Sequence, residues 1–159
     1  MPQMTNMMDA LVYLQAALDK GTVKMRACDI YPELKVLVDQ PKGELRLTYA
    51  SIAAGIVQSI AVFLQVKSVG RVACFHLGCA VIEPRRGRGL GTETVVQALD
   101  ELRTGLKRNG IREFYLEAVA AKTNVASNRL ARRLLSDATR DGTDTISGEP
   151  VFHYLKLIK

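Results

Sequence analysis

Apolar residues recur every three or four positions in three separate stretches of the chain, which is the spacing of one face of an α-helix. The first stretch covers residues 4–20 and ends at Gly21, a residue type well suited to terminate a helix. The second covers 92–108. The third covers 125–135 and follows Asn124, whose short amide side chain favours the N-cap position. The apolar face predicted for this last helix comprises Val125, Ala126, Leu130, Ala131, Leu134 and Leu135.

Shorter apolar runs between these helices predict β-strands. Residues 34–39 and 44–51 flank the tetrapeptide QPKG, whose proline and glycine favour a hairpin turn. Further strands are predicted at 56–66, 71–82, 112–120 and 151–158, with turns at 53–55 and 68–70. Residues 23–27 carry a weaker strand signal, and 136–150 are polar and rich in turn-forming residues.

The order of the predicted elements indicates an α/β (α+β) fold. One helix precedes a run of antiparallel strands, and a strand–helix–strand–helix–strand series follows. This order predicts a single central mixed sheet flanked by helices. The segment 71–120 predicts a right-handed crossover between two parallel strands. The length of 159 residues fits a single domain covering 1–159.

The composition is that of a soluble globular protein, with 48% apolar and 24% charged residues. The charge-free stretch 47–66 is long enough to cross a bilayer, but its polar side chains and the break at 53–55 favour two strands. The N-terminal segment has no basic region, so a secretory signal is not expected. The sequence therefore predicts a cytoplasmic protein without a membrane partner.

Three cysteines, Cys28, Cys74 and Cys79, are expected to be reduced and buried. Cys74 and Cys79 lie five positions apart on one predicted strand, so their side chains point to opposite faces of the sheet. This spacing fits neither a disulfide nor a shared metal site, and no group of histidine, cysteine and aspartate has metal-ligand spacing. No metal is expected.

The arginine- and glycine-rich segment IEPRRGRGLGT (82–92) follows the long strand and precedes the second helix. Glycines let a backbone approach a ligand closely, and a helix N-terminus adds unpaired N–H donors with a partial positive charge. Arg85, Arg86 and Arg88 add charge, and one guanidinium group binds a phosphate through two hydrogen bonds. The segment therefore predicts a phosphate site. The alternative is a glycine turn with solvated arginines.

This turn lacks the lysine of a P-loop, and its third glycine comes one residue too early for the dinucleotide fingerprint. It reads R-x-x-G-x-G from Arg86, which resembles the acyl-CoA pyrophosphate loop of the GNAT superfamily of N-acetyltransferases. NGIREFYLEA resembles the family's third helix running into its fifth strand, and TNVASNRLARRLL resembles its fourth helix. The resemblance covers 71–135, is weak before residue 45, and is closest in motif to the ribosomal-protein-alanine type.

The resemblance implies a GNAT-like acyl-CoA N-acyltransferase fold with acetyl-CoA as the acyl donor. It assigns the pyrophosphate to Arg86, Gly87, Arg88, Gly89, Leu90, Gly91 and Thr92. It also implies that Asn124 and Ser127 contact the pantetheine arm. A backbone N–H around Val81 or Ile82 is implied as the group that polarises the acetyl carbonyl.

Acetyl transfer needs a group that takes a proton from the amine, because amines are mostly protonated at neutral pH. The ribosomal-protein-alanine type carries a glutamate for this purpose on an L-E-V strand, and the matching residue is Glu117 in FYLEA. The alternative for Glu117 is a structural ion pair. His76, in the middle of the strand segment FHLGC, fits either a hydrogen-bonded sheet residue or the lining of the acceptor pocket.

The sequence departs from the family pattern after the helical asparagine. Many members carry a tyrosine seven residues later as the acid for the leaving thiolate, and Ala131 stands at that position. The usual Gly-Phe after the helix is also absent. Tyr154 on the last strand is the candidate replacement. Packing of Tyr154 in the sheet, with water as the acid, is the alternative.

These features predict an acetyl-CoA-dependent N-acetyltransferase that acts directly on an amine, which is a protein N-terminus, a lysine or a small amine. One alternative is a non-catalytic GNAT-fold protein that binds acyl-CoA or a partner. The other is a nucleic-acid-binding module, because the net charge is +6 and Arg129, Arg132 and Arg133 form a basic run. An aromatic content of 6% weighs against the second alternative. A homodimer is compatible with the sequence.

Overall fold

A computed structural model describes residues 6–135, 140–144 and 147–159. The helices are α1 (Met7–Asp19), α2 (Leu90–Arg108) and α3 (Val125–Leu135). The strands are β1 (Arg26–Ala27), β2 (Leu34–Asp39), β3 (Arg46–Ala53), β4 (Ile56–Val69), β5 (Val72–Val81), β6 (Phe114–Ala121), β7 (Arg140–Thr143) and β8 (Pro150–Ile158). Short 3-10 helices cover Pro41–Gly43 and Glu83–Arg85.

The strands of the described residues form one mixed sheet in the order β1-β2-β3-β4-β5-β6-β8-β7. β5 and β6 run parallel, and α2 lies between them in the chain. Antiparallel register joins β1 to β2, β2 to β3, β3 to β4, β6 to β8 and β7 to β8. The predicted fold class, a mixed sheet flanked by helices, is confirmed, and so is the parallel pair within 71–120.

Contacts within the chain divide it into two compact units. The first unit comprises residues 6–65 and 78–112, and the second comprises the described residues of 66–77 and 113–159. The first unit contains α1, the strands β1 to β3 and the helix α2. The second contains β6, α3, β7 and β8. β4 and β5 contribute residues to both units.

The core of the first unit forms where α1 packs against the sheet. Its buried members are Leu11, Leu14, Ala50, Val57, Ile60, Val62 and Ala80. Met7 and Met8 pack against this cluster, and a β-carbon at Gly78 would collide with the side chain of Met7. The methionine-rich face of α1 is therefore core packing, although Met4 lies outside the described residues.

The charge-free stretch 47–66 lies on β3 and β4. Ala54 and Gly55 join the two strands with φ angles of 51° and 79°, the left-handed backbone of a two-residue hairpin turn. Within the described parts of the chain, none of the helices is both long and apolar enough to cross a membrane. The prediction of two strands with a tight turn is confirmed.

Polar contacts fix α2 within the first unit. The carboxylate of Glu101 is 8% exposed and accepts the backbone N–H groups of Ile30 and Tyr31 at 2.8 and 2.7 Å. Nearer the start of the helix, the hydroxyl oxygens of Ser59 and Thr94 lie 2.6 Å apart in a buried hydrogen bond. These contacts hold the first turns and the middle of the helix that follows the glycine turn.

Replacing Gly105 in the interior of α2 with alanine is expected to stabilise the protein by about 1 kcal/mol, because glycine is a poor helix former. A β-carbon at this position meets open space. Gly110 also has open space but a φ of +81°, so Gly110→Ala is expected to destabilise by about 1 kcal/mol. Urea unfolding of both variants measures the difference. Destabilisation by Gly105→Ala would contradict the position of Gly105 in the interior of helix α2.

Two boundaries differ from the sequence expectation. α2 begins at Leu90 rather than Thr92, because Gly89 is its N-cap with a φ of 80°. β4 extends to Val69, beyond the predicted end at residue 66, and only Gly70 and Arg71 form the turn before β5. A strand continued by pairing does not need a strong local pattern.

The second unit has a core on one face of its strands. Phe114, Leu116, Ala118 and Ala120 alternate as the buried positions of β6. The rings of Phe75 and Phe114 meet edge to face with centroids 5.8 Å apart. α3 packs against β6 and β8. β7, an edge strand paired with β8, lies in the stretch 136–150 where the sequence predicts turns.

The buried face of α3 differs from the predicted one. Asn128, Ala131 and Leu135 are buried, whereas the side chain of Val125 is 66% exposed and Ala126 is exposed. The helix is rotated away from its purely apolar stripe because Asn128 finds buried hydrogen-bond partners.

Candidate active site

The glycine turn carries the backbone geometry expected of an anion site. Gly87 and Gly89 adopt φ angles of +76° and +80°, a region that residues with a side chain rarely adopt, and a β-carbon at either would meet no atom within 4 Å. Gly89 caps α2 without a side-chain hydrogen bond. The first N–H groups of a helix have no intrahelical partner, so Leu90, Gly91 and Thr92 present theirs at this end.

The arginines of the turn differ in their hydrogen-bond partners. Arg85 Nε donates to Gln58 Oε1 at 2.8 Å, which anchors that side chain to β4. Arg86 Nε donates to the carbonyl oxygen of Val81 at 2.9 Å, and Arg86 and Arg88 are exposed. Glu93, in the first turn of α2, offsets part of this positive charge. Arg86 and Arg88 are therefore the cations available to a bound anion.

The structure distinguishes the two residues proposed to polarise the acetyl carbonyl. The N–H of Ile82 donates to the carbonyl oxygen of Gln58 at 3.0 Å, so this amide is already engaged. Ile82 therefore does not offer the free donor that the sequence comparison implied. A β-carbon at Gly91 would lie 3.1 Å from Val81 Cγ2, so glycine lets α2 start close to the end of β5.

The start of α3 is organised by two asparagines. Asn124 Oδ1 accepts the N–H of Ser127 at 3.0 Å, which confirms Asn124 as the N-cap. Asn128 Nδ2 donates to the carbonyl oxygens of Ala121 and Asn124, both at 2.8 Å. Asn124 is exposed and Ser127 is partly exposed. Their contact with a pantetheine arm stays a prediction.

Tyr154 is completely buried, and its hydroxyl donates to Asn128 Oδ1 at 2.6 Å. This geometry favours the packing interpretation of Tyr154 over the catalytic one. Tyr154 pairs with Ala118, whereas Glu117 pairs with Leu155. Since neighbouring residues on a strand point to opposite faces, Tyr154 and Glu117 lie on opposite faces of the sheet.

Tyr154→Phe is expected to destabilise the protein by about 1–2 kcal/mol, because it leaves the buried Asn128 Oδ1 without its hydrogen bond. Tyr115→Phe is the matched control, since Tyr115 is only partly buried. Urea unfolding measures both. An equal effect of the two changes would contradict a structural role for the Tyr154 hydroxyl.

Glu117 lies between two histidines on one face of the second unit. Its Oε1 is 3.1 Å from His76 Nδ1, and its Oε2 is 3.3 Å from His153 Nε2. His76 stands opposite Glu117 in the parallel register of β5 and β6. His153 comes from β8, where it pairs with Val119. The side chain of Glu117 is 15% exposed.

These contacts determine the charge of Glu117. Burial alone would raise its pKa, but the hydrogen bonds from His153 and His76 outweigh burial and lower the pKa to about 2. The carboxylate is therefore ionised at neutral pH. A general base works best when its pKa is near the operating pH. A carboxylate with a pKa this low is therefore a weak proton acceptor.

The fold of this chain is similar to that of solved acetyltransferase structures. A GNAT-family acetyltransferase from Streptococcus pneumoniae matches with a TM-score of 0.56 at 15% identity over 95% of both chains. This chain has the GNAT fold. The ribosomal-protein-S5-alanine acetyltransferase from Vibrio fischeri matches with a TM-score of 0.57 at 11% identity, over 71% of this chain and 61% of that one. A ribosomal L7/L12 alpha-N-protein acetyltransferase in complex with coenzyme A matches with a TM-score of 0.54 at 19% identity, over 71% and 62%.

The likeness to GNAT proteins is one of fold rather than of sequence. No protein-family model and no curated protein matches the chain. The chain spans about three fifths of the length of these two ribosomal-protein acetyltransferases (61% and 62%). The resemblance predicted from residues 71–135 is thus confirmed as a GNAT fold.

Sequence reasoning missed two residues of the second unit. Asn128 was counted among neither the core nor the site, although it occupies the buried spacing 128, 131 and 135 on α3. His153 belongs to none of the predicted motifs, although alternation along β8 puts it on the face opposite Tyr154. The pairing of β8 with β6 was the information needed to place His153 beside Glu117.

Proposed function

We propose that this chain is an acetyl-CoA-dependent N-acetyltransferase that transfers the acetyl group directly from the thioester to an amine. The observation that carries the proposal is the turn at 86–89, whose two left-handed glycines lead into the exposed N-terminus of α2 in a GNAT fold. Backbone N–H groups and arginines at one place suit a pyrophosphate better than a single charge.

The donor is bound by residues from the motif. Arg86 and Arg88 grip the pyrophosphate with guanidinium hydrogen bonds, and the N–H groups of Gly89 to Thr92 add backbone donors. Asn124 and Ser127 contact the pantetheine arm. The N–H of Val81 is the remaining donor of the proposed pair for the acetyl oxygen, because that of Ile82 is engaged. Among the described residues, no group of three histidine, cysteine, aspartate or glutamate side chains could hold a metal ion. The proposed mechanism uses no metal.

The chemistry needs a proton acceptor on the amine side, and Glu117 with its two histidines is the titratable cluster that supplies it. The leaving thiol has a pKa of about 8.5 when free. Water can therefore supply its proton, and no tyrosine is needed as the acid. This accommodates Ala131 at the usual tyrosine position and the buried hydroxyl of Tyr154.

The acceptor is an amine: a protein N-terminus, a lysine or a small amine. Two of the fold relatives are acetyltransferases of ribosomal proteins by name, one of them acting on alanine and one an alpha-N-protein enzyme. Short peptides with a free N-terminal alanine or serine are therefore the first acceptors to test, followed by lysine peptides with blocked termini and by polyamines.

The test has a binding step and a transfer step. Thermal unfolding is followed with acetyl-CoA, coenzyme A, ATP and NAD, and stabilisation is expected with the two coenzyme A species alone. Release of free thiol, together with mass spectrometry of the acceptor, then reports transfer. Absence of any stabilisation by both coenzyme A species would exclude the proposed donor site.

A non-catalytic GNAT-fold protein is the second candidate, favoured by Ala131 and by the engaged hydroxyl of Tyr154. Stabilisation by acetyl-CoA without transfer to any amine of the panel would support it. The nucleic-acid alternative rests on the exposed Arg129, Arg132 and Arg133. It would be supported by RNA or DNA binding that weakens steeply with salt in a protein that coenzyme A does not stabilise.

A further inference from the structure

The two oxygens of the Glu117 carboxylate both accept hydrogen bonds from histidine rings. A carboxylate that is ionised can only accept, so the ring nitrogens that face it carry the protons. His76 therefore holds its proton on Nδ1, and His153 holds one on Nε2. In a neutral imidazole the second ring nitrogen then has a free lone pair. In His76 that atom is Nε2.

The two histidines differ in access. The side chain of His76 is 17% exposed, and that of His153 is 6% exposed. His76 also lies where the registered pairing of β5 with β6 ends. The parallel register joins Cys74 to Tyr115, Phe75 to Leu116 and finally His76 to Glu117, although β5 continues to Val81 and β6 to Ala121. His76 is thus the more accessible ring, at the last registered pair of the two strands.

We propose that His76 Nε2 is the atom that takes the proton from the acceptor amine, and that Glu117 and His153 are positioning residues that orient the His76 ring. This inference rests on the proposed acetyltransferase function and changes the role expected for Glu117. The carboxylate fixes which nitrogen of His76 is protonated and stabilises the ring when it becomes positively charged. His153 holds the second carboxylate oxygen and so keeps the carboxylate aimed at His76.

The proposed step balances in protons and electrons. The bound ammonium gives one proton to His76 Nε2 and becomes a neutral amine. The amine lone pair forms the C–N bond at the thioester carbonyl carbon, and the C–S bond breaks with its electron pair on sulfur. A second nitrogen proton passes through water to the thiolate. His76 then releases its proton to solvent, which returns the site to its starting state.

The surrounding groups are compatible with this role. On the same face, Cys74 and Tyr115 form the preceding pair of the β5–β6 register, and Arg140 of β7 pairs with His153 of β8. Burial, with a contribution from the charge of Glu117, raises the pKa of Cys74 to about 11, so this thiol is neutral beside the cluster. The low pKa of Glu117 keeps the carboxylate charged while the imidazole accepts a proton.

The ring tautomer is tested first, because it requires no acceptor. Nitrogen-15 NMR of the imidazole side chains in the full chain, assigned with His76→Gln and His153→Gln, reports which nitrogen of each neutral ring is protonated. A neutral His76 protonated on Nδ1 is the expected result, and replacement of Glu117 by glutamine should weaken that preference. Protonation of His76 on Nε2 would overturn the proposal whatever the activity.

The kinetic test separates the roles of the three residues. General bases contribute about a hundredfold or more, so His76→Gln should lower kcat/KM by that factor. His153→Gln keeps a donor for Glu117 and should cost less than tenfold. Glu117→Gln should retain partial activity, because the His76 ring remains but loses the carboxylate that orients it.

The outcomes distinguish this inference from the proposed function. Stabilisation by acetyl-CoA must persist in His76→Gln, which shows that the variant is folded and binds the donor. A loss below tenfold in His76→Gln would overturn the role of His76 while leaving the acetyltransferase intact. Absence of transfer by the wild-type protein would overturn the acetyltransferase function, and the catalytic role of His76 with it, even if the tautomer is the expected one.

Discussion

Replacing Gly89 with glutamate is expected to abolish the stabilisation of the protein by acetyl-CoA. Gly89 caps α2 with a φ of 80°, and the position of its missing β-carbon is open. A glutamate there puts a negative charge and a side chain where the pyrophosphate is proposed to bind, and it strains the left-handed backbone that aims the N–H groups. Both effects act against the same ligand.

The expected change is large enough to read directly. A ligand at a hundred times its dissociation constant stabilises by about 2.7 kcal/mol, which raises the melting temperature of a chain of this size by about 5–10 °C. Gly89→Glu should remove this rise. Differential scanning fluorimetry with and without acetyl-CoA measures it.

Gly70→Glu is the matched control for this prediction. Gly70 has a φ of +60°, lies exposed in the turn between β4 and β5, and has open space around its missing β-carbon. The strain of a left-handed glutamate and the added charge are therefore comparable, but Gly70 is not part of the glycine turn at 86–92. A full acetyl-CoA response in Gly89→Glu, equal to that of Gly70→Glu, would place the donor elsewhere.

Local patterns sufficed to predict most elements and the glycine turn. Apolar spacing and caps identified α1, α2 and α3, and the glycines identified the turn before α2, because both features depend on residues close in sequence. The exact start of α2 was not predictable, since threonine and glycine are about equally common as N-cap residues and only the left-handed backbone at Gly89 identifies it as the cap.

Burial was harder to predict where a polar group replaced an apolar one. Val125 and Ala126 were expected in the core of the last helix, and Asn128 was not. Asn128 is buried because it accepts from Tyr154 and donates to two carbonyl groups, so its polar atoms keep their hydrogen bonds inside the protein. The hydrogen bond from Tyr154 comes from a strand residue 26 positions later in the chain, so the spacing of apolar residues along α3 does not predict it.

The cluster around Glu117 shows the same limitation for the candidate site. Glu117 was predicted from its motif, and His76 from its place on the preceding long strand. His153 joins them across 36 residues through the antiparallel pairing of β6 and β8. A motif read along the chain gives the identity of a charged residue, but its pKa depends on partners that only the sheet brings together.

Stability is expected to depend on the ionisation of Glu117 at acidic pH. Burial opposes the charge of the carboxylate, but hydrogen bonds from His153 and His76 lower its pKa from the ordinary value of 4.5 to about 2 in the folded protein. A depressed folded pKa adds stability above the unfolded pKa. That contribution is lost as the pH falls from about 5 towards about 2, and because solvent screens the partly exposed carboxylate it amounts to about 1–2 kcal/mol.

Glu117→Gln removes this titration, because the amide oxygen cannot be protonated in this range. The variant is therefore expected to be less stable than the wild type at neutral pH, and the difference should shrink steadily between about pH 5 and pH 3 as the carboxyl of the unfolded wild-type chain takes up a proton that the folded chain does not bind. Urea unfolding at several pH values measures the two curves. Glu113→Gln, at an exposed position just before β6, should track the wild type throughout. A constant difference between Glu117→Gln and wild type would mean that the two histidines do not hold the carboxylate in its charged form.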